Sequence, residues 1–346
     1  MTPMTFSALP TAGCRWERAL VTGGAGFLGS HLCERLLGSG VDVDSVDNLS
    51  SGSHDNVRHL VGRPGFRFLE LDLAEPGCSD ALEAPYDLIL HFAGPASSAE
   101  CRRHPLDALD TAGRGTHNAL AVADRAGARF LLGSGCQVYG DPLVHPQRED
   151  YCGHVDPVGP RSAHDEAQRF AEALTTAYAT AHGTDAGIVR VFNTYGPRMR
   201  ADGHQAVPTF ITRALAGAPL IIEGDGSQTR SLCHVDDMVD GVLLVAASRS
   251  VRPVNIGGGD EPTVREIARR VIELTGSHSR LEFAARRPHD PARRRPDTTL
   301  VREIFGWVPR VTWEEGFRRT IAHFADVSAD RRPLRAEGGT RHACCW

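Results

Sequence analysis

Short apolar runs alternate with amphipathic segments from Arg18 onward, and this alternation restricts the fold more than any other feature of the chain. The runs RALVTG, VDVDSVD, FRFLELD, YDLILHFAG and ARFLLGSG have the composition of buried strands, whereas FLGSHLCERLLGSG has helical spacing. Segments 104–126 and 162–182 are also predicted as helices, and GIVRVFN over 187–193 is predicted as a further strand. Strands that alternate with helices form a parallel sheet covered on both faces, so we expect a doubly wound α/β fold.

Composition and charge exclude several classes of protein. The 346 residues include 38 basic and 43 acidic side chains, and the net charge of −5 argues against nucleic-acid binding. All of the basic residues are arginine, which excludes mechanisms that need a Schiff-base or P-loop lysine. No run approaches the roughly 20 apolar residues that span a bilayer, so we expect no membrane association. The cysteines form no C-x-x-C pair, which favours free thiols in a reducing cytoplasm.

A glycine-rich turn follows the first predicted strand and opens the first predicted helix. Its sequence, GGAGFLG over 23–29, allows a tight turn and lets backbone N–H groups approach a pyrophosphate. Asp47 follows 18 residues after Gly29, at the end of the second predicted strand, where a carboxylate accepts hydrogen bonds from ribose hydroxyls. This acid would repel a 2′-phosphate, so the predicted cofactor is NAD rather than NADP.

The predicted cofactor contacts extend to residues at the ends of the third and fourth strands. Asp72 is placed to meet the adenine side, although a turn aspartate at a strand end explains it equally well. The full predicted set is Gly23, Gly26, Phe27, Leu28, Gly29, Asp47, Asn48, Asp72, Leu73 and Ala93.

The alternation of apolar runs with amphipathic segments becomes less regular after residue 193, where proline and glycine are more frequent. We therefore predict a dinucleotide-binding domain over 17–193 and a smaller C-terminal α/β substrate lobe, mainly over 194–327. Residues 1–16 and 328–346 have no hydrophobic period, so a flexible leader and a flexible tail are expected.

Several longer motifs occur between about Arg18 and Asp326: VTGGAGFLGSH, HFAGPAS, QVYGDPLVHPQREDY, GHVDPVGPR, RVFNTYGPRM and GDGSQTR. In these motifs the chain resembles the extended short-chain dehydrogenase/reductases and, within that group, is similar to the UDP-glucuronate decarboxylases. The resemblance implies a Rossmann domain with tightly held NAD, a C-terminal lobe for a UDP-sugar, and homodimers formed through the helices near 104–126 and 162–182. It also implies a reaction in which NAD oxidises the sugar at C4, CO₂ is lost, and the hydride returns.

The positions that handle protons in this family are altered. The family has a tyrosine and a lysine four residues apart on a helix, and His164 and Gln168 occupy those positions here. Before VYGD the family has Thr-Ser-Glu, whereas this chain has Gly-Cys-Gln, whose last two residues are Cys136 and Gln137. In addition, Ala112 replaces an asparagine of the family. His164, Cys136, Gln137 and Gln168 are therefore the candidate catalytic residues.

Two interpretations of His164 stay open. A neutral imidazole accepts a proton at neutral pH more readily than a phenol of pKa about 10, and Gln168 one turn away is placed to orient it. Alternatively, His164 only fills the space of the tyrosine. Cys136 is likewise either a nucleophile or acid, or a small buried thiol.

The substrate lobe keeps more of the family pattern. By resemblance, Asn193, Arg230 and Arg294 contact the sugar and the diphosphate of a nucleotide sugar, and Arg198 assists them. The planar guanidinium of arginine suits phosphate oxygens in a partly dry cleft. The alternative is that arginines are scattered throughout a chain without lysine.

The sequence thus favours an NAD-dependent enzyme that acts on a nucleotide sugar, a UDP-hexuronate or a relative, with His164 in place of tyrosine. One alternative is a catalytically silent homologue that binds NAD and a nucleotide sugar as a sensor or partner subunit. Another is a non-redox transformation that uses Cys136 and His164. No metal site is predicted.

Overall fold

The computed structural model describes residues 16–94, 97–201, 205–286 and 293–330. The strands in these ranges are β1 (Arg18–Thr22), β2 (Asp42–Asp47), β3 (Phe66–Glu70), β4 (Leu88–His91), β5 (Arg129–Gly135), β6 (Ala186–Val191), β7 (Thr194–Tyr195), β8 (Leu220–Glu223), β9 (Thr229–Arg230), β10 (Cys233–His234), β11 (Val254–Ile256), β12 (Leu281–Ala284) and β13 (Arg293–Arg294).

The α-helices in the same ranges are α1 (Phe27–Gly38), α2 (His54–Val57), α3 (Ser98–Arg103), α4 (Pro105–Asp110), α5 (Thr116–Ala126), α6 (Ser162–His182), α7 (Ala206–Leu215), α8 (Val235–Ala247), α9 (Val264–Thr275), α10 (Thr299–Phe305) and α11 (Trp313–Asp330). A π-helical turn over Thr111–Gly115 joins α4 to α5, and short 3₁₀ turns lie at Cys78–Ala81 and Cys136–Tyr139.

Seven of the described strands form a parallel sheet in the order β3-β2-β1-β4-β5-β6-β11. The connection reverses direction between β1 and β4, where Thr22 lies beside both Val46 and His91. Open sheets of this kind bind ligands in the crevice at the carboxyl ends of the strands, next to such a switch point. The Rossmann-type doubly wound α/β fold predicted from the sequence is confirmed.

Helices cover both faces of this sheet. On one face, α1 and α8 contribute Leu32, Leu36 and Met238 to a continuous apolar core. On the other face, α5 and α6 contribute Leu120 and Ala171. Successive side chains of a strand point to opposite faces, so buried strands with apolar residues on both faces require these two layers.

The seventh strand comes from the C-terminal half of the chain. Val254 of β11 lies opposite Val189 of β6, and all three residues of β11 are fully buried. A division at residue 193 therefore does not separate the sheet from the second lobe. The chain returns to the sheet because Val254–Ile256 buries apolar side chains at its edge.

The second lobe has its own apolar core. Tyr195, Phe210, Ile267 and Phe317 pack together where α7, α9 and α11 meet. Among the described strands, three short parallel pairs complete the lobe: β7 with β10, β8 with β12, and β9 with β13.

The ends of the described chain differ from the expected leader and tail. Trp16 is buried in the core beside the sheet, so it does not belong to a loose leader. Helix α11 extends to Asp330 and includes the first residues of the expected tail. The rest of both segments, 1–15 and 331–346, lies outside the described residues. Among the helices that the structure describes, none combines the length and the apolar character needed to cross a membrane.

Candidate active site

The glycine-rich turn brings the start of α1 close to the ends of β1 and β4. Gly23 has a φ of 67°, and a Cβ atom there would lie 2.5 Å from the carbonyl oxygen of Phe92. A Cβ atom at Gly29 would lie 2.0 Å from the carbonyl oxygen of Gly23. Because any side chain at these positions would displace backbone, the turn depends on glycine. Helix α1 therefore begins at the switch point, where its N–H groups and dipole favour a pyrophosphate.

Asp47 ends β2 beside this turn. Its Oδ2 accepts a hydrogen bond from the N–H of Ala25 at 3.0 Å, and its Oδ1 accepts one from the N–H of Leu49 at 2.8 Å. Burial raises the pKa of Asp47, and these backbone hydrogen bonds oppose the shift. Each carboxylate oxygen has further acceptor capacity, so the fixed carboxylate fits the ribose hydroxyls of NAD.

The other predicted cofactor residues surround the same crevice. The Nδ2 of Asn48 donates to Oδ2 of Asp72 at 2.8 Å, while Oδ1 of Asp72 accepts the N–H of Ala74 at 2.8 Å. Asp72 is therefore a turn aspartate as well as a neighbour of the crevice. Leu73 is buried, and the N–H of Ala93 donates to Oγ1 of Thr22 at 3.3 Å. The loops after β1 to β4 thus converge as a dinucleotide site requires.

His91 is a buried residue of the site that the sequence did not single out. Its Nδ1 lies 2.7 Å from Oγ1 of Thr22, and its Nε2 lies 3.1 Å from Oγ1 of Thr116. Burial lowers the pKa of His91 to about 4, so the ring is neutral at pH 7. The chain of three polar side chains links β1, β4 and α5 beneath the crevice.

His164 lies near the start of α6 and is only 5% exposed. Burial is the main cause that lowers the pKa of His164 to about 3, and the guanidiniums of Arg161, Arg294 and Arg102 lower it further. The imidazole is therefore neutral throughout the physiological range. Its Nδ1 lies 3.0 Å from Oγ of Ser98. Within the described chain, Ser98 and not Gln168 is the hydrogen-bond partner of this ring.

His164 and Gln168 line the same cleft beside the switch point. Ala93, at the end of β4, lines it from one side, and Ala112 lines it from the π-helical turn. A π-helical turn inside a helical segment is frequent at functional sites. The structure therefore brings two of the four candidate catalytic residues together next to the proposed cofactor contacts.

Cys136 and Gln137 have a different environment. Cys136 is 3% exposed and packs with Val138 and Phe192 in a small apolar cluster. Gln137 folds back over Gly135, since a Cβ atom on that glycine would lie 2.1 Å from Oε1 of Gln137. Neither Cys136 nor Gln137 is among the described residues that line the cleft of His164.

The predicted substrate residues include two with unsatisfied buried groups. Arg294 is only 9% exposed, and its Nε and Nη2 have no hydrogen-bond partner within the described residues. The Nδ2 of Asn193 is buried and, within the same residues, also lacks a partner. Buried polar groups in folded proteins are usually paired, so these atoms have hydrogen-bonding capacity left for a polar ligand.

Arg230 and Arg294 lie side by side, because β9 and β13 pair in parallel with these two residues opposite each other. The Nη1 of Arg230 donates to the carbonyl oxygen of Thr229 at 2.8 Å. Arg198 is held elsewhere: its φ is 68°, and its guanidinium pairs with Glu34 on α1. The structure therefore groups two of the three predicted arginines and ties the third to the cofactor domain.

A buried polar network lies behind α6. Glu172 accepts hydrogen bonds from Oγ of Ser134 at 2.6 Å and from Nη2 of Arg190 at 2.7 Å. The Nη1 of Arg190 donates to the hydroxyl of Tyr139 at 2.9 Å, and that hydroxyl donates to Oδ1 of Asn255 at 2.8 Å. The network connects α6 to β5, β6 and β11, and no sequence motif indicated it.

In the part of the chain that the structure describes, no cluster of three histidine, cysteine or acidic side chains is arranged to hold a metal ion.

Comparison with known proteins identifies what the chain is similar to. The sequence model of the NAD dependent epimerase/dehydratase family matches residues 19–257. UDP-glucuronic acid decarboxylase 1 of Danio rerio is 42% identical over 309 residues, which cover 89% of this chain and 73% of that protein.

Two solved structures show the same fold over most of the chain. UDP-glucose 4-epimerase of Thermotoga maritima, solved with UDP-glucose, superposes with a TM-score of 0.83 at 30% identity and covers 90% of this chain and 99% of its own. The dTDP-glucose 4,6-dehydratase of Streptomyces venezuelae, solved with NAD and TYD bound, has a TM-score of 0.83 at 28% identity, with coverages of 90% and 98%.

Proposed function

Because the chain belongs to the NAD-dependent epimerase/dehydratase family, we propose that it is an enzyme that acts on a UDP-hexuronate or a related UDP-sugar through an altered set of proton-handling residues. The similarity to UDP-glucuronic acid decarboxylases supports this substrate class. The altered residues are His164 and Gln168 on α6, together with Cys136 and Gln137 after β5.

The buried guanidinium of Arg294 is the observation that carries this proposal. Two of its nitrogens lack partners within the described residues, and its charge acts on His164. A diphosphate at Arg294 and Arg230 would therefore lie on the same side of the lobe as the imidazole. Arginine binds phosphate oxygens strongly where water is largely excluded.

The residues of the site then have distinct roles. NAD, when bound, supplies reversible hydride transfer at the sugar. The glycine turn and Asp47 hold the dinucleotide, and Asn193 donates to the sugar. His164 takes a proton from a sugar hydroxyl. Because Gln168 and Gln137 carry no charge, they cannot replace an ammonium or a carboxylate.

The same proposal includes a homodimer in a reducing cytoplasm. Leu106 and Leu109 on α4 and Phe170 on α6 are exposed, with Leu106 72% accessible. Phe170 lies next to Gly113 of the π-helical turn, so these apolar side chains belong to one side of the paired helices. The free thiols of Cys33, Cys101 and Cys152, among others, support a reducing compartment.

A catalytically silent, ligand-binding homologue is the second candidate. The lowered pKa of His164 favours it, because a base whose conjugate acid has a pKa of about 3 accepts protons weakly. The non-redox alternative has less support, since Cys136 is packed among apolar side chains.

Turnover of UDP-glucuronate with NAD separates these candidates. We expect mass spectrometry to find NAD and a UDP-sugar with the purified protein, and UDP-xylose to form about 10² to 10⁴-fold more slowly than with the tyrosine and lysine pair. An ordinary turnover rate would contradict the assigned roles. Bound ligands without any turnover would favour the silent homologue.

A further inference from the structure

Ser98 is the polar side chain that the structure places against the imidazole of His164. Its Oγ lies 3.0 Å from Nδ1, across the contact between α3 and α6. Ser98 and His164 also line a second cleft, together with Arg102 and Arg161. No motif in the sequence pointed to Ser98, and the family resemblance gives it no role.

The position of Ser98 is well fixed. Oγ of Ser97 accepts the N–H of Glu100 at 3.2 Å and caps α3. The Glu100 carboxylate pairs with Arg200 at 2.7 Å, and the Cys101 side chain is buried against the fold. The backbone of Ser98 is therefore anchored at the start of α3, which keeps its hydroxyl within reach of the His164 ring.

A neutral imidazole has one N–H and one unprotonated nitrogen, and the group beside one nitrogen decides which is which. If Nδ1–H donates to Ser98, then Nε2 keeps its lone pair and can accept a proton. If the Ser98 hydroxyl donates to Nδ1, then Nε2 carries the proton and cannot act as a base. The base role of His164 therefore depends on the direction of this one hydrogen bond.

We propose that Ser98 is the positioning residue of His164: its hydroxyl oxygen accepts the hydrogen bond from Nδ1–H, holds the ring orientation and leaves Nε2 as the proton acceptor. When a proton moves from a sugar hydroxyl to Nε2, the ring becomes an imidazolium and Nδ1–H still donates to Ser98. That bond then becomes charge-assisted, which favours the protonated ring against the surrounding guanidiniums. The choice of the Nδ1–H tautomer and its consequence for turnover rest on the proposed function, in which Nε2 is the base, whereas the contact between Ser98 and Nδ1 does not.

Nitrogen-15 NMR of the histidine rings tests the tautomer without any turnover. In the protein with histidine labelled, the two-bond proton–nitrogen correlations of His164, assigned by their loss in His164→Gln, should show the Nδ1–H form. Ser98→Thr, which keeps the hydroxyl, should show the same form. Ser98→Ala should give a mixture of tautomers. Ser53→Ala is the matched control, because it removes the N-cap serine of another short helix, α2, but leaves α3 and the Ser98 hydroxyl unchanged, and it should keep the Nδ1–H form.

Two results would overturn the proposal: an Nε2–H tautomer in the unaltered protein, or an unchanged tautomer in Ser98→Ala. Where turnover is measurable, Ser98→Ala should lower kcat about tenfold with little change in KM. Ser98→Thr, which keeps the hydroxyl, should have the kcat of the unaltered protein. A protein with the Nδ1–H tautomer but no turnover at all would contradict the proposed function and leave the role of Ser98 intact.

Discussion

We expect a single carboxylate, that of Asp47, to decide which dinucleotide the glycine turn accepts. Its oxygens are fixed by backbone N–H groups, so a 2′-phosphate would meet a charge that has no freedom to turn away. We expect NAD to bind at least about tenfold more tightly than NADP. Asp47→Ala should weaken NAD binding by about 1 to 3 kcal/mol because charged hydrogen bonds are lost. Calorimetry that gives equal affinities for the two dinucleotides would contradict this role.

Arg294 should be the residue through which UDP stabilises the protein. UDP raises the melting temperature if it binds only the folded state, and Arg294→Ala should abolish that increase. Arg293→Ala is the matched control. Arg293 precedes Arg294 in β13, but its side chain is exposed and lies near Glu261. Differential scanning fluorimetry of the NAD-loaded protein measures the effect. An equal response of both variants would place the diphosphate elsewhere.

The environment of His164 predicts an unusual pH dependence. An unperturbed imidazole would become a base between about pH 6 and 7, and the rate would rise there. Burial and three guanidiniums lower the pKa of His164 to about 3, so the neutral base is fully present well below that range. The kcat/KM for a nucleotide sugar should therefore be flat from pH 6 to 8. A rise of about tenfold in kcat/KM between pH 6 and pH 8 would mean that the His164 ring is more exposed to solvent than the structure shows.

Among the predicted site residues, the sequence indicates most directly those whose place is set by backbone geometry. Gly23 and Gly29 are needed for close approach, and Asp47 follows a strand at a fixed distance. The residues that it did not reveal act through contacts between distant segments. Ser98 meets His164 only because α3 packs on α6. The ion pair that the predicted substrate residue Arg198 forms with Glu34 of α1 also joins distant segments, so the sequence did not indicate it.

At the level of elements, the segment 104–126 shows the limit of periodicity. It was predicted as one helix, and the structure divides it into α4, a π-helical turn and α5. An average helical spacing does not reveal one wider turn, particularly where Gly113 and Gly115 tolerate it. The difference matters because this turn places Ala112 in the cleft of His164.

Substitutions in α6 and in the 3₁₀ turn over Cys136–Tyr139 should restore activity. The triple variant His164→Tyr, Gln168→Lys and Gln137→Glu should raise decarboxylation of UDP-glucuronate by at least about 10²-fold, since it restores an acid/base set. Gly135 already leaves room for a long side chain at 137, so glutamate fits where glutamine lies. Product analysis by mass spectrometry measures the gain.

A matched variant, His164→Phe, should bind NAD as before and show no gain. A triple variant that binds UDP-glucuronate and yet stays inert would mean that the scaffold has diverged beyond its acid/base residues.

For the whole molecule, the exposed apolar side chains of α4 and α6 predict a dimer. Phe170 is 54% exposed, and a charge there would be buried without a partner in the assembly. Phe170→Glu should therefore convert a dimer into monomers in light scattering after gel filtration. Phe283→Glu, at a residue of β12 that is 53% exposed, should leave the mass unchanged. A monomeric parent protein would refute the predicted interface.

The seventh strand has a consequence for how the protein is made. A ribosome releases the chain from its N-terminus, so β1 to β6 emerge well before Val254–Ile256. Until then, β6 is an open edge that can pair with other extended chains. The nascent protein therefore carries an incomplete sheet, with β6 as its open edge, through the synthesis of more than sixty residues.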